Sequence, residues 1–284
     1  MIQPCGNFRV ARAIAAGGLV LLLVGRSAAQ TEAPSELYGI RPAHIWTSDY
    51  LELLMGDTGA IVTGPFRWDE TQWLQAGAAL SAVGITTAFD DTIRDQVQAH
   101  RTTGEDSFMK EWQNLGSAGS FGVLAAFDAW GELGDDVRAK NTAMDGLTSS
   151  IIAAGLVDTS LKYAIGRYRP NQTTQTYRFE PFSGHDSFPS GHATQAFAVA
   201  TAIAENYPVW WVECLSYGSA ALVGYARIEQ NAHYASDVVA GSLLGWYVAR
   251  GIVHRHAGLA NAKKLSWSPY ASGAGGGLMF FKSF

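Results

Sequence analysis

Three short segments of this chain gather the residue types that hold an oxyanion and move protons. Lys162 is followed by Arg169-Pro170; Pro189-Ser190-Gly191-His192 supplies a hydroxyl, a flexible backbone and an imidazole; Arg227, His233 and Asp237 complete the set. Lys162, Arg167, Arg169 and Arg227 beside two histidines would repel a metal cation, whereas guanidinium groups match phosphate oxygens with forked hydrogen bonds. The expected ligand is therefore a phosphate-like oxyanion, and this residue set requires no metal or other cofactor.

The spacings say how each segment must be held. Lys162 and Arg169 are nearly two helical turns apart, but Pro170 biases Arg169 toward extended geometry, so Lys162 belongs in a last helical turn and Arg169 on the exit. Ser190 or a neighbour is an N-cap candidate, and the free N–H groups and dipole of the helix that follows form an anion cradle, which Gly191 lets the ligand approach closely. Taken alone, Ser-Gly would be an ordinary cap. Arg227 and His233 do not share a helical face, and Glu229-Gln230-Asn231 supplies a turn that brings them together. His233 and Asp237, at i and i+4, can face each other, the carboxylate fixing the ring tautomer and leaving one nitrogen as a nucleophile. Such a pair in isolation is a core or capping pair, and the same spacing also serves metals; the cation cluster counts against metal. Arg167 either meets substrate or is solvated or paired, and His185 and Asp186 either line the entrance or are plain loop residues.

In order and spacing the three blocks resemble the signature of the type 2 phosphatidic acid phosphatase superfamily, which includes bacterial class A acid phosphatases, lipid phosphatases and vanadium haloperoxidases. The resemblance runs from about Leu161 to Gly241. It implies that Lys162, Arg169 and Arg227 hold the phosphate oxygens with Ser190 and the Gly191 amide. It also implies that His233 attacks phosphorus to give a phosphohistidine, Asp237 orients it, and His192 protonates the leaving oxygen. One position departs from the pattern: the family often has Ser before the third-block arginine, where this chain has Ala226, which should alter support or specificity rather than abolish activity.

The elements that must position these residues read as mostly α. Helices are predicted at about Glu70 to Phe89, Asp91 to His100, Ser117 to Trp130, Asp145 to Ile165, His192 to Asn206, Val209 to Ala226 and Ser236 to His254. The fold class expected is an all-α helical bundle with the motif blocks at helix ends around one pocket. Asp128, Asp158, Glu213 and Arg250 interrupt or close the apolar stretches, so buried helices of a soluble protein fit better than membrane spans, which need roughly 20 apolar residues. The tail from Ser266 to Phe284, rich in Gly and Ser and ending in Phe, is read as a docked or surface-associating segment. Cys214, in an apolar stretch, is read as a buried small hydrophobe.

The first 29 residues read as a cleaved signal peptide: Arg9 and Arg12, an apolar run from Ala13 to Val24, then Ser27-Ala28-Ala29, with Gln30 the first mature residue. An uncleaved anchor is the alternative, although roughly 12 apolar residues are short for a span. The predicted organisation is thus signal 1–29, catalytic domain 30–265 and tail 266–284. Removing Arg9, Arg12 and Arg26 leaves 17 basic against 25 acidic residues, a net charge of −8. That excludes a general nucleic-acid binder and makes the motif cations a local positive site that focuses anions.

The expected protein is an exported, metal-independent phosphohydrolase that cleaves phosphomonoesters through a phosphohistidine, in a bacterial periplasm. A glycan on the sequon at Asn171 would crowd the site, which favours a bacterial source. The alternatives are a membrane-associated lipid phosphatase acting on phosphatidic acid, phosphatidylglycerol phosphate or an isoprenyl pyrophosphate, a vanadium-dependent haloperoxidase, and a non-catalytic anion-binding envelope protein. The partner is a phosphorylated small molecule or lipid phosphate, with peripheral membrane association open.

Overall fold

The computed structural model describes residues 47–272 and 275–282, with side chains through Leu259. The signal-peptide expectation lies outside the described residues. The helices run α1 (Ser48–Thr63), α2 (Glu70–Thr87), α3 (Asp90–Ala99), α4 (Thr103–Trp112), α5 (Ala118–Gly134), α6 (Val137–Ser150), α7 (Thr159–Ile165), α8 (Gly191–Asn206), α9 (Trp210–Glu229) and α10 (Ala235–Lys264). Between α6 and α7 the helix continues as a wider π-helical stretch, Ile151–Asp158, a form frequent at functional sites. The all-α bundle expected from the periodicity is the fold found.

Two helices escape the sequence reading. The α1 helix starts at a Thr47 cap whose side chain accepts from the Tyr50 amide, and α4 at a Thr102 cap accepting from the Glu105 amide. Neither carries a strong apolar stripe: α1 contains Gly56 and Gly59, and α4 is short and charged. The tail is also a difference. Leu265–Ser272 pairs antiparallel with Gly275–Lys282 in a hairpin, consistent with the two-residue alternation of Leu265 and Trp267 against Ser266 and Ser268.

The core is organised around α8, 12 of whose 16 residues are buried. Its alanines allow neighbours to approach closely, and α10 does so at two glycines. A Cβ at Gly241 would collide with the Ser190 carbonyl, and one at Gly245 with the Thr194 carbonyl. Burial then proceeds on both flanks. Ile152 and Ala153 meet Ala198, Val248 and Ile252 on one side, while Phe197 and Ala200 meet Ala220 and Val223 on the other. Each large aliphatic side chain contributes about 1.5–3 kcal/mol.

The expectation of buried helices fails for α2, none of whose residues is buried although its sequence is largely uncharged. Cys214 is also exposed rather than buried, because it lies on the outward face of α9 with Trp211 and Leu215. No helix among the described residues is long and apolar enough to cross a membrane.

Candidate active site

The three sequence blocks meet where α7 ends, α8 begins and α9 turns into α10. Helix α7 stops at Gly166, whose φ of +60° is left-handed; a Cβ there would also collide with the Glu180 carbonyl. The chain then loops over the helix ends, pinned by Glu180 N to Gly166 O at 2.8 Å and Ser187 N to Arg167 O at 3.0 Å. It re-enters the bundle at Ser190, whose amide donates to the Asp237 carbonyl at 2.9 Å, joining the second block to the third.

Lys162 lies in the last turn of α7 and donates to Asp158 Oδ2 at 2.6 Å and to the Pro189 carbonyl. Asp158 ends the π-helical stretch, is almost fully buried and also accepts from Thr194 Oγ1 at 2.9 Å; burial raises its pKa. In the sequence this carboxylate, four residues before Lys162, reads only as an interruption of an apolar run. Lys162 stands beside Gly191, where a Cβ would be 3.5 Å from its Nζ.

Arg169 leaves the helix as expected and forks onto Asp186, at 2.8 and 2.7 Å. That hydrogen-bonded pair lowers the Asp186 pKa although burial acts the other way. Asp186 therefore positions a motif cation, and His185 stacks on Tyr168 with ring centroids 3.4 Å apart.

Ser190 occupies the N-cap position of α8 with extended backbone, but its side chain makes no capping bond. Its Oγ is buried without a hydrogen-bond partner, as is Arg227 Nε. Buried unpaired donors are costly unless something else accepts from them. Arg227 reaches Gln113 through one of its terminal nitrogens, and burial together with the Arg169 charge pushes its pKa down to about 10. A positive φ at Asn231 closes the turn after α9, and the amides of Ala232 and His233 both donate to the Arg227 carbonyl. Arg227 and His233 are thus brought together by the turn expected at Glu229-Gln230-Asn231. Ala226 is fully buried.

His233 and Asp237 face each other across the turn, and the nearer partner of the ring is a backbone carbonyl. His233 Nδ1 lies 2.7 Å from the Ser187 carbonyl oxygen and 3.7 Å from Asp237 Oδ2. A backbone carbonyl accepts only from N–H, so Nδ1 carries the proton and Nε2 holds the free lone pair. Asp237 instead accepts from Ser187 Oγ at 2.6 Å, the Tyr234 amide at 2.9 Å and Arg167 Nη1 at 2.6 Å. Burial lowers the His233 pKa, Asp237 opposes this, and Arg169 and Arg227 reinforce it, which favours a neutral ring.

Arg167 is paired and almost wholly buried. It binds Asp237, Asp90 Oδ2 at 2.8 Å, Ser236 Oγ at 2.7 Å and the Thr176 carbonyl at 3.0 Å. Asp90, unremarked in the sequence, also accepts from the Ser236 amide at 2.9 Å and so holds the start of α10. His192, at the start of α8, is half-buried. Burial pushes its pKa down to about 4, with Arg227, His233, Arg169 and Lys162 adding to the effect.

Residues 146–259, which contain all three blocks, match the profile of the PAP2 superfamily. This segment belongs to the PAP2 superfamily. Within it, the chain is 38% identical over 120 residues to a lipid A 1-phosphatase of Rhizobium etli, covering 40% of this chain and 51% of that protein. An undecaprenyl-diphosphatase of Sulfolobus acidocaldarius is 36% identical over 115 residues, covering 39% of this chain and 54% of that protein. The chain spans about half the length of these relatives. The crystal structure of Aquifex aeolicus LpxE aligns with a TM-score of 0.47 and 22% identity, over 58% of this chain and 95% of that one.

Proposed function

We propose that the chain is a phosphohydrolase whose substrates are lipid phosphates, the alternative in the sequence reading, rather than soluble phosphomonoesters. The observation that carries the hydrolase reading is the convergence of a histidine with a free Nε2 on unpaired anion-binding donors: His233, Ser190 Oγ and Arg227 Nε at one helix-end cluster. The lipid part is supported by relatives named as a lipid A 1-phosphatase, an undecaprenyl-diphosphatase and a lipid phosphate phosphatase.

In the proposed reaction, Lys162, Arg169 and Arg227 bind the phosphoryl oxygens together with Ser190 and the Gly191 amide. Neutral His233 attacks phosphorus through Nε2, and the bond to the lipid oxygen breaks as His192 donates its proton to that oxygen. Nε2 and phosphorus are then bonded, with the imidazolium held by the Ser187 carbonyl. His192, now neutral, takes a proton from water as the water displaces His233, releasing inorganic phosphate and restoring both rings.

The test is phosphate release from phosphatidic acid in mixed micelles with chelator present, wild type against His233→Ala, together with trapping of labelled phosphate on the protein by an alkaline detergent quench. Turnover and a trapped phosphohistidine in the wild type only are expected. Equal release by both proteins would sink the histidine mechanism, and turnover of soluble esters alone would sink the lipid reading.

A further inference from the structure

An apolar groove lies along α8 and α9, its lining ending at Ala196 and Val223, one helical turn from His192 and Arg227. Its volume is about 390 Å³, and it is lined almost wholly by apolar side chains of α5, α8 and α9. Protein interiors are close-packed with few voids larger than a water molecule, whereas ligand sites fall in the roughly 300–1,000 Å³ range. This groove belongs to the second class.

Its relation to the chemistry follows from helical spacing. On α8, Ala196, Ala200, Ile203 and Tyr207 line the groove, and with His192 they recur at steps of three and four, so they share its face. On antiparallel α9, the lining residues Val212, Ser216, Ser219 and Val223 lead at the same steps to Arg227. His192 and Arg227 therefore lie one helical turn beyond the near end of the groove, where Leu115 lines it on the segment that carries the Arg227 partner Gln113. The floor is small, Ala196, Ala200 and Ala220, which leaves room for a chain-shaped ligand.

The far end is built differently. Phe127, Trp130 and Tyr207 stack there, with Trp130 and Tyr207 centroids 6.3 Å apart and Phe127 5.9 Å from each. Ala196 to Tyr207 is eleven residues, about 16 Å at a helical rise of roughly 1.5 Å. One leaflet of a hydrocarbon core roughly 30 Å thick is about 15 Å deep.

We propose that this groove binds one acyl chain of the substrate, with its phosphate at His192 and Arg227, and that the Phe127–Trp130–Tyr207 stack sets the chain length the groove accepts. The inference rests on the lipid-phosphate reading and adds to it a tail site and a length limit.

The experiment measures kcat/KM for single-chain acylglycerol phosphates of increasing length, in constant excess detergent, beside glycerol phosphate. In the wild type, kcat/KM rises with chain length and levels off where the chain reaches the aromatic stack. Ala200→Leu narrows the middle of the groove and should lower the long-chain to headgroup-only ratio by about tenfold, what two buried methylene groups contribute. Trp130→Ala, at a half-exposed position tolerant of truncation, should move the plateau to longer chains. A wild-type rise that neither variant alters overturns the groove assignment and leaves the lipid reading standing. No wild-type hydrolysis of any acylated phosphate, with glycerol phosphate still turned over, overturns the lipid reading and the groove with it.

Discussion

The His233 ring is held by a backbone carbonyl, Nδ1 to Ser187 O at 2.7 Å, while Asp237 stands 3.7 Å away and grips the same loop through Ser187 Oγ at 2.6 Å. Asp237 thus acts on the ring through the loop that carries the carbonyl. Asp237→Asn puts a donor where the carboxylate accepts from Ser187, Tyr234 and Arg167, and the loop must shift. We expect kcat to fall about 10²-fold, the scale of a roughly 1 Å misplacement near reacting atoms, with KM little changed. Ser187→Ala keeps the carbonyl and removes the hydroxyl, so its loss should be smaller, about tenfold by the same reasoning. Wild-type turnover in Asp237→Asn would remove this positioning role.

Arg167 carries a stability prediction. Its guanidinium is buried between Asp90 and Asp237, at 2.8 and 2.6 Å, and lies 4.2 Å from the Tyr234 ring centroid. Burial alone would lower its pKa, and the two carboxylates more than reverse that. Arg167→Met leaves both carboxylates buried without their cation, a change of about 3–5 kcal/mol. Urea unfolding should register it as a drop in midpoint, and adding Asp90→Asn should recover part of the loss because one stranded charge is gone. A single variant as stable as wild type would mean that the network contributes nothing net.

The contrast between these two residues shows what the sequence could reveal. Helix periodicity exposed the bundle, since it depends only on the repeat of apolar side chains. The Asp158–Lys162 contact was also within reach, because i and i+4 share a helical face. The Ser187 carbonyl was not, since a backbone acceptor leaves no trace in residue types. Arg167 was ambiguous because its partners, Asp90 and Asp237, are 77 and 70 positions away and only the fold brings them together. The same reason hid the exposure of α2, whose uncharged sequence reads as buried.

A second buried charge cluster lies away from the site. His256 on α10 bonds Asp145 on α6 at 2.7 Å through Nδ1 and Asp57 on α1 at 2.8 Å through Nε2. Asn206 and Arg255 add donors to these two carboxylates. Burial lowers the His256 pKa, but its bonds to Asp145 and Asp57 outweigh this and raise it above 6.5. The sign follows: a raised folded pKa gives stability that is complete below about 6.5 and lost as pH rises through the folded value. His256→Ala should therefore cost most in acid, about 3–5 kcal/mol, and progressively less toward alkaline pH. Urea midpoints of both proteins across that range give the answer, and a constant gap would contradict a charged imidazolium bridge.

The pH dependence of catalysis should depend on whether substrate is bound. His192 must be protonated to release the lipid oxygen, so activity falls as pH rises through its pKa, which is about 4 in the free site, chiefly through burial and next through Arg227. His233 must be neutral, and its lowered pKa keeps it so well into acid; activity is lost only as pH falls through that value. A bound phosphate dianion reverses the field at His192. Negative charge within about 4–6 Å favours the imidazolium and raises its pKa by roughly 1–3 pH units. Because kcat/KM reports the free enzyme and kcat the complex, the alkaline limb of kcat should lie at higher pH than that of kcat/KM by about that amount. Steady-state rates on a short-chain phosphatidic acid kept below its micelle concentration, across the acid and neutral range, test this without a lipid interface. In His192→Ala that limb should vanish and kcat fall about 10²–10⁴-fold. Coincident limbs in the wild type would mean that the titrating acid is a group the bound phosphate does not touch, and His192 would lose its role.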